Sequence, residues 1–382
     1  MKILPFPYWG RKIRNLRSMY FAAQSAGAEL VKEVASADHF LVDIGALGPG
    51  DIIHITGLRP FGTALANEPG MALAIGHAFK AAKDLGVKVV WTLHHVLTPD
   101  SDNPEEDLLI HQMLADLADV IVVPHDKTLA AIGGLYDIDP AKLRVIPSTS
   151  YLGLFSDDES DAAARERLGF APEDIVVGYI SNYATLAELG VFANAMKLLE
   201  AKNPDYRALI RANFAEGDID EEADDPDAVS ATEMAAQELV ADLPGALVRF
   251  RHLRGNRLAS RYRVCDLIVL PDYRDMDPNP VLTAATYSRP VLLPADSILA
   301  EVFAAESWVH TYEPGQPGID DAEALATGIA AALAELPAGD HKSADLSAGR
   351  YARKQTPFAM SREYLRLFQE LSASVPGVGN NA

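Results

Sequence analysis

The segment VKVVWTLHHVLTPD (87–100) shows the alternation from which the fold can be predicted. Its first seven residues form an apolar run rich in β-branched side chains, and a polar loop that begins with two histidines follows. A helix-like stretch, 71–84, stands before the run and ends at the stop signal Leu85-Gly86. A helix, a strand and a loop in this order are typical of the repeating unit of a parallel sheet.

The same alternation extends in both directions along the chain. It predicts strands at 2–5, 51–55, 87–93, 119–123 and 143–146, then at 175–180, 207–211, 246–250, 266–271, 290–294 and 308–312, with helices that include 19–34 and 71–84. The sequence therefore predicts an α/β fold with two facing Rossmann-like domains. Because open parallel sheets bind ligands beyond the carboxyl ends of their strands, we expect the functional loops to line a cleft between the domains.

The length of 382 residues favours two domains, since one hydrophobic core rarely serves a chain of this size. An acid-rich polar stretch interrupts the alternation after the first five strands, and it is interpreted as a linker. The predicted division is 1–160 for the N-terminal, acceptor-side domain, 161–173 for the linker, 174–349 for the C-terminal, donor domain and 350–382 for C-terminal helices broken at Pro357.

The composition narrows the functional classes. A net charge of −21, from 33 basic and 54 acidic residues, repels a phosphate backbone, so nucleic acid is excluded as a partner. No apolar run reaches the length of about 18 residues that a transmembrane helix needs, and the N-terminus lacks the pattern of a secretory signal. The single Cys265 excludes a cysteine-rich metal site. We expect a cytoplasmic protein without a metal or a cofactor.

Two further segments, with 87–100, suggest a family. They are ADVIVVPHDKTLAAIGGLYDIDPAKLRVIPSTSYLGLF (118–155) and LASRYRVCDLIVLPDYRDMDPNPVLTAATYSRPVLLP (258–294). The three segments resemble the WTLHN-type loop, the IPHGNY-type loop and the YRD…GRPV-type block of bacterial glycosyltransferases of family 4, with matching order over roughly residues 85–300.

The resemblance implies the GT-B architecture, with the C-terminal helices crossing back to the N-terminal domain. It also implies transfer of a sugar from a nucleotide diphosphate sugar to a saccharide or lipid-linked acceptor, as in the synthesis of surface polysaccharide. In that family the reaction is usually metal-independent and retains the anomeric configuration.

The resemblance assigns catalytic roles to His94, His95 and Asp275. The family's histidine at the position of His94 contacts the donor, and an imidazole can bind a sugar hydroxyl or act as an acid or base. His95 stands where the family has Asn. The alternative for both is a histidine that caps the strand end. Asp275 corresponds to the first Glu of the family's E-x7-E pair. With Asp277 it also forms a D-x-D, which binds a divalent metal in another glycosyltransferase fold. The pattern recurs by chance among 54 acids, so it is weak support for a metal site here.

Other donor-binding positions depart from the family. Thr283 replaces the second Glu, Ser148 replaces the His of the IPHG-type loop, and the loop of Asn182 lacks the usual Arg and Lys. Arginines near Gly255, where the sequence predicts an anion-binding backbone nest, are candidates to hold the diphosphate instead, or else they only offset the acidic surface. The predicted donor-binding residues are Arg251, Arg254, Arg257, Arg274, Ser148, Asn182 and Thr283.

A basic cluster follows the first predicted strand. Gly10 is suited to a tight loop, and the cationic side chains are predicted to contact the acceptor or an anionic membrane surface, which would make the protein peripheral on the inner face of the cell membrane. The alternative is a solvated first helical turn, where positive charge opposes the helix dipole. The cluster is Gly10, Arg11, Lys12, Arg14 and Arg17.

Two other functions stay open. One is an inverting transferase on the same fold, with a carboxylate of the N-terminal domain as the base. The other is a catalytically degenerate partner protein, which the replaced Glu, Lys and Arg of the donor site favour.

Overall fold

A computed structural model describes most of the chain. The described residues are 1–6, 17–31, 43–57, 71–98, 103–155, 159–181, 184–214, 231–243, 245–250, 256–273, 275–315, 320–336 and 342–375.

The strands and helices alternate as the sequence predicts. The strands are β1 (Lys2–Phe6), β2 (Glu29–Leu30), β3 (Ile52–Ile55), β4 (Lys88–Thr92), β5 (Val120–Val123), β6 (Leu143–Val145), β7 (Ile175–Ser181), β8 (Tyr206–Ala212), β9 (Leu247–Arg249), β10 (Leu267–Val269), β11 (Val291–Pro294) and β12 (Val309–Tyr312). The helices are α1 (Phe21–Ser25), α2 (Met71–Asp84), α3 (Pro104–Leu117), α4 (Thr128–Ile132), α5 (Asp161–Leu168), α6 (Leu186–Glu200), α7 (Ala231–Val240), α8 (Asn256–Val264), α9 (Asn279–Thr286), α10 (Ile298–Val302), α11 (Asp321–Glu335), α12 (Lys342–Lys354) and α13 (Pro357–Ala373).

The first sheet has six strands in the order β2-β1-β3-β4-β5-β6, and every pair is parallel. Its inner strands are buried on both faces because elements cover both sides of a parallel sheet. In β4, Val89 and Val90 are fully buried, and in β3 so are Ile53 and Ile55.

The second sheet also has six parallel strands, in the order β12-β11-β10-β7-β8-β9. Its central strand β7 carries Gly178, where an added Cβ would lie 2.5 Å from the Cys265 Sγ. The glycine therefore allows the end of α8 to approach the sheet closely. The predicted α/β class with two parallel, Rossmann-like sheets is confirmed.

The chain divides into two compact units that do not follow the chain order. The first comprises Met1–Thr149 and Gln355–Ala382, and the second comprises Ser150–Lys354. Helix α13 begins at Pro357 with Thr356 as its N-cap, so the predicted break at this proline is confirmed. Its apolar stripe packs in the core of the first unit with strand residues of the sheet: Met360, Tyr364, Leu367 and Phe368 meet Ile3, Val90 and Val122.

The helix predicted at 19–34 is shorter than expected. Helix α1 ends at Ser25, Gly27 adopts φ 86°, and Glu29–Leu30 then form the edge strand β2 beside β1. A glycine at positive φ stops a helix because other residues are strained there. The stop signal at Gly27 outweighs the apolar periodicity that continues beyond it.

The segment predicted as a linker, 161–173, contains helix α5 of the second unit. Ser160 caps the helix by accepting from the Ala163 N–H, and Gly169 ends it at φ 82°. Its charged residues Asp161, Glu166 and Arg167 are exposed, whereas Ala164 is fully buried. Among the described residues, no helix combines the length and apolarity needed to cross a bilayer.

Candidate active site

His94 and His95 lie directly beyond the carboxyl end of β4. The Leu93 N–H donates to the Val122 carbonyl across 2.9 Å, so sheet pairing continues to the residue before His94. Both histidines are half-buried, and their ring centroids are 6.4 Å apart. The predicted placement of the two imidazoles at a strand end is therefore observed.

The loop that follows is tied to helix α3 and to Tyr136. The Thr98 N–H and hydroxyl donate to the two carboxylate oxygens of Asp107 at 2.7 and 2.6 Å. The Tyr136 hydroxyl donates to the Val96 carbonyl at 3.1 Å. Since Asp107 is only 5% exposed, these charge-assisted bonds fix the loop that carries the two histidines.

Ser148 and His94 line one small cavity of the first unit. Its other walls include Thr92, Pro124 and Tyr364, and its volume of about 10 Å³ is far too small for a sugar. The structure thus brings together two residues that the sequence assigned separately, one after β4 and one after β6.

A chain of buried polar groups lies behind this cavity. The Tyr20 hydroxyl is 2.7 Å from His54 Nδ1, and His54 Nε2 is 2.8 Å from Thr92 Oγ1. The Thr92 hydroxyl is in turn 3.0 Å from the Tyr364 hydroxyl. Burial, together with the nearby His94, lowers the pKa of His54 to about 3, so His54 is a neutral imidazole at physiological pH.

In the second unit, Asp275 follows β10 in the loop that leads into α9. Its Oδ1 accepts from the Met276 N–H at 2.6 Å. Asp277 lies two residues before α9, and its two carboxylate oxygens accept from the N–H and the side-chain amide of Asn279, the first residue of the helix, both at 3.1 Å. The Tyr273 hydroxyl donates to the Asp277 carbonyl at 2.8 Å. These bonds give the loop a defined shape around Asp275.

Thr283 faces the interior of the second unit. It is 7% exposed, and its hydroxyl donates to the Asn279 carbonyl one turn earlier at 2.7 Å. The Tyr151 hydroxyl is bonded to the same side chain. Thr283 therefore ties helix α9 to the segment that opens the second unit.

Sequence reasoning missed Glu188, which lies in the first turn of α6 beyond the carboxyl end of β7. Its carboxylate accepts from the Tyr179 hydroxyl at 3.1 Å and from the Thr185 N–H at 3.0 Å. Burial, with a smaller contribution from Asp272 after β10, raises the pKa of Glu188. The signal was the capping box TLAE (185–188), which marks a helix start directly after a strand.

Arg211 is a second residue that sequence reasoning missed. It lies near the carboxyl end of β8, is 1% exposed, and donates to the Ser181 carbonyl at 2.9 Å. Burial lowers the pKa of Arg211 to about 10, which leaves it cationic at neutral pH. An arginine that directly follows the apolar residues of RALIR (207–211) within a predicted strand is an unusual residue, and that was the available signal.

The predicted basic residues are only partly described. Arg17, beside α1, and Arg257, in α8, are exposed to solvent. The other predicted residues of the donor loops and of the N-terminal cluster lie outside the described residues: Gly10, Arg11, Lys12, Arg14, Asn182, Arg251, Arg254 and Arg274.

Comparison with known sequences finds distant relatives and no matching family model. The D-inositol 3-phosphate glycosyltransferase of Stackebrandtia nassauensis is 25% identical over 226 residues, which cover 57% of this chain and 50% of the relative. The D-inositol 3-phosphate glycosyltransferase 2 of Catenulispora acidiphila is 24% identical over 284 residues, 72% of this chain and 62% of the relative. The matched part therefore spans only about half to three fifths of these relatives' own length.

Comparison with solved structures covers almost the whole chain. Sucrose-phosphate synthase of Thermosynechococcus elongatus matches with a TM-score of 0.71 at 15% identity, over 98% of this chain and 99% of that one. Anabaena HepE, solved in complex with UDP-glucose, matches with a TM-score of 0.69 at 13% identity, over 97% and 100%. At these identities the likeness shows the fold, which is that of the GT-B glycosyltransferase structures.

Proposed function

We propose that this chain is a glycosyltransferase that moves a sugar from a nucleoside diphosphate sugar to a saccharide acceptor. The observation that carries the proposal is the agreement of fold, over almost the full chain, with sucrose-phosphate synthase and with HepE bound to UDP-glucose. The sequence relatives, named as glycosyltransferases, support the same reaction class over about half their length.

The chemistry of such a transfer suits the residues beyond the strand ends. Negative charge develops on the leaving nucleoside diphosphate and positive charge on the sugar ring. The site therefore needs hydrogen-bond donors beside the diphosphate and a carboxylate beside the sugar ring. We assign His94 and His95 to the donor sugar and reacting phosphate, and Asp275 to the sugar hydroxyls.

The diphosphate is assigned to cations of the second unit. The proposed ligands are Arg251, Arg254, Arg257 and Arg274, with Ser148, Asn182 and Thr283 at further donor positions. Arg211 adds a buried positive charge near the ends of β7 and β8, where it lowers the electrostatic cost of an anion. We further propose that the transfer retains the anomeric configuration, with inversion as the alternative that product stereochemistry decides.

The acceptor is proposed to be a saccharide or a lipid-linked saccharide of surface polysaccharide synthesis. The N-terminal basic cluster supports this proposal, because its charge stands out in a chain of net charge −21 and suits a pyrophosphate or an anionic membrane surface. Binding to anionic vesicles at low salt and release by added salt are the expected results, and no binding at low salt contradicts the membrane version.

The donor is tested with a panel of UDP-, GDP- and ADP-sugars scored by thermal shift and by turnover. A bound donor raises the melting temperature by mass action, and Asp275→Asn should reduce turnover strongly. Asp242→Asn is the matched control, since Asp242 is an exposed carboxylate on the turn after α7. Unchanged turnover in Asp275→Asn removes Asp275 from the site, and no binding of any donor favours the degenerate partner protein.

A further inference from the structure

The buried chain of Tyr20, His54, Thr92 and Tyr364 joins four separate elements of the first unit. Tyr20 precedes α1, His54 is on β3, Thr92 is the last residue of β4, and Tyr364 is on α13. All four side chains are buried: Tyr20 is 4% exposed, His54 0%, Thr92 5% and Tyr364 2%. Such a network is costly unless its members satisfy one another, so it needs a reason to be present.

The neutral imidazole sets the direction in which the hydrogen bonds of this network run, from donor to acceptor. With a single N–H, His54 donates at one ring nitrogen and accepts at the other. If Tyr20 donates to Nδ1, then Nε2 donates to Thr92, Thr92 donates to Tyr364, and the Tyr364 hydroxyl hydrogen points onward. In the opposite order the Tyr20 hydroxyl hydrogen needs another acceptor, and among the described residues the Tyr20 hydroxyl has His54 as its one hydrogen-bond partner. The first order is favoured because the onward hydrogen then meets the cavity that His94 and Ser148 line.

The Tyr364 end of this hydrogen-bonded network lies at the candidate site. Tyr364 and Thr92 both line the small cavity that His94 and Ser148 also line. Thr92 precedes His94 by two residues, and the bond from the Leu93 N–H to Val122 holds the backbone between them. Helix α13 thereby places a hydroxyl against Thr92, two residues before His94.

We propose that Thr92 and Tyr364, oriented by His54, are positioning residues that fix the strand end bearing His94 and direct the Tyr364 hydroxyl toward the cavity beside it. The proposal rests on the proposed function, in which His94 contacts the donor. An imidazole must be held in one orientation to act on a sugar or a phosphate, and a displacement of about 1 Å is enough to lower a rate about 100-fold.

The test uses four variants. Thr92→Val and Tyr364→Phe remove hydroxyls of the chain with little change in shape, and Thr92→Ser restores the hydroxyl of the first. Ser361→Ala is the matched control on the same helix, since its buried hydroxyl oxygen accepts from the Ala22 N–H at 2.6 Å and it does not line the cavity. The measurements are kcat and KM for the donor, and the NMR signal of the His94 ring in protein labelled at histidine.

The proposal predicts that Thr92→Val and Tyr364→Phe lower kcat by about tenfold or more with little change in the donor KM. Thr92→Ser should recover most of the rate, and Ser361→Ala should keep it. In the NMR spectrum, the His94 signal should shift in Thr92→Val and stay in place in Ser361→Ala. Equal rates for Thr92→Val, Tyr364→Phe and Ser361→Ala overturn the proposal.

The NMR result separates this proposal from the proposed function. If the wild-type protein turns over no nucleotide sugar, the proposed function fails. The His94 signal alone then decides whether the hydrogen-bonded network of Tyr20, His54, Thr92 and Tyr364 orients the His94 ring. A His94 signal that is unmoved by Thr92→Val overturns the positioning role whatever the turnover shows.

Discussion

The guanidinium of Arg165 donates to both carboxylate oxygens of Asp266 at 2.7 Å. The same carboxylate accepts from the Val176 N–H at 2.8 Å, and Asp266 is 4% exposed. This pair ties α5 to the beginnings of β7 and β10, so the helix is an integral part of the second unit.

Arg165→Met should therefore destabilise the second unit. The change removes the guanidinium from a buried carboxylate, and breaking such a pair costs about 3–5 kcal/mol. Hydrogen exchange of the β7 and β10 amides measures the loss. The control is Arg366→Met, since Arg366 and Glu363 form a solvent-exposed pair worth about 0.5 kcal/mol or less. Equal effects of the two variants contradict the structural role of α5.

Gly178→Ala should also destabilise the second unit. The new Cβ would lie 2.5 Å from Cys265 Sγ and 3.0 Å from Ile268 Cδ1, and overpacking of this kind costs about 1–3 kcal/mol. Gly190→Ala in α6 is the matched control, because its nearest neighbour is 3.9 Å away and alanine favours a helix by about 1 kcal/mol. Adding Cys265→Ala should recover part of the loss, and no recovery contradicts the assigned clash.

His54 predicts how the stability of the first unit depends on pH. Its pKa is about 3 in the folded chain and about 6.5 when unfolded, so between these values the unfolded chain binds more protons. The contribution of His54 to the free energy of unfolding is therefore fully present above about pH 6.5. It falls as the pH drops, by up to about 1.4 kcal/mol per pH unit. The free energy of unfolding, measured by urea denaturation over about pH 4 to 7, should lose this slope in His54→Gln. An unchanged slope contradicts the buried, neutral imidazole.

Glu188 predicts a dependence of the opposite sign in the second unit. Its pKa is raised by burial, so above its ordinary range the folded chain holds a proton that the unfolded chain has released. The stability of this unit should fall as the pH rises through that window, and Glu188→Gln should flatten the change. Hydrogen exchange in α6 measures it, with Glu166→Gln as the control at an exposed carboxylate. Equal profiles for Glu188→Gln and the wild type contradict the burial effect.

Much of the fold follows from the sequence because parallel strands are buried on both faces and so stand out as apolar runs. The run 87–93 predicts β4, and with it the position of His94. The helix predicted at 19–34 is shorter in the structure because Gly27, at positive φ, ends α1. The helix at 161–168 was missed because its contribution to the core is mainly the small Ala164, whose pattern is lost among charged residues.

The candidate site is less accessible to sequence reasoning. The sequence predicts His94 and Asp275 as candidates because each follows a recognisable strand. The chain from Tyr20 to Tyr364 depends on a contact between residues 272 positions apart, which no local pattern encodes. Glu188 and Arg211 carry charge inside otherwise ordinary segments, and only burial in the folded chain distinguishes them from surface residues.

Transfer from a nucleoside diphosphate sugar must release the nucleoside diphosphate, so this product is the one to measure. The wild-type protein is incubated with each nucleotide-sugar donor and a panel of acceptors, and the released nucleoside diphosphate is measured by mass spectrometry. Asp275→Asn and Asp242→Asn are measured in parallel. We predict release with at least one donor by the wild type and by Asp242→Asn, and a strong reduction in Asp275→Asn. The absence of release and of binding with every donor would contradict the assignment as a glycosyltransferase.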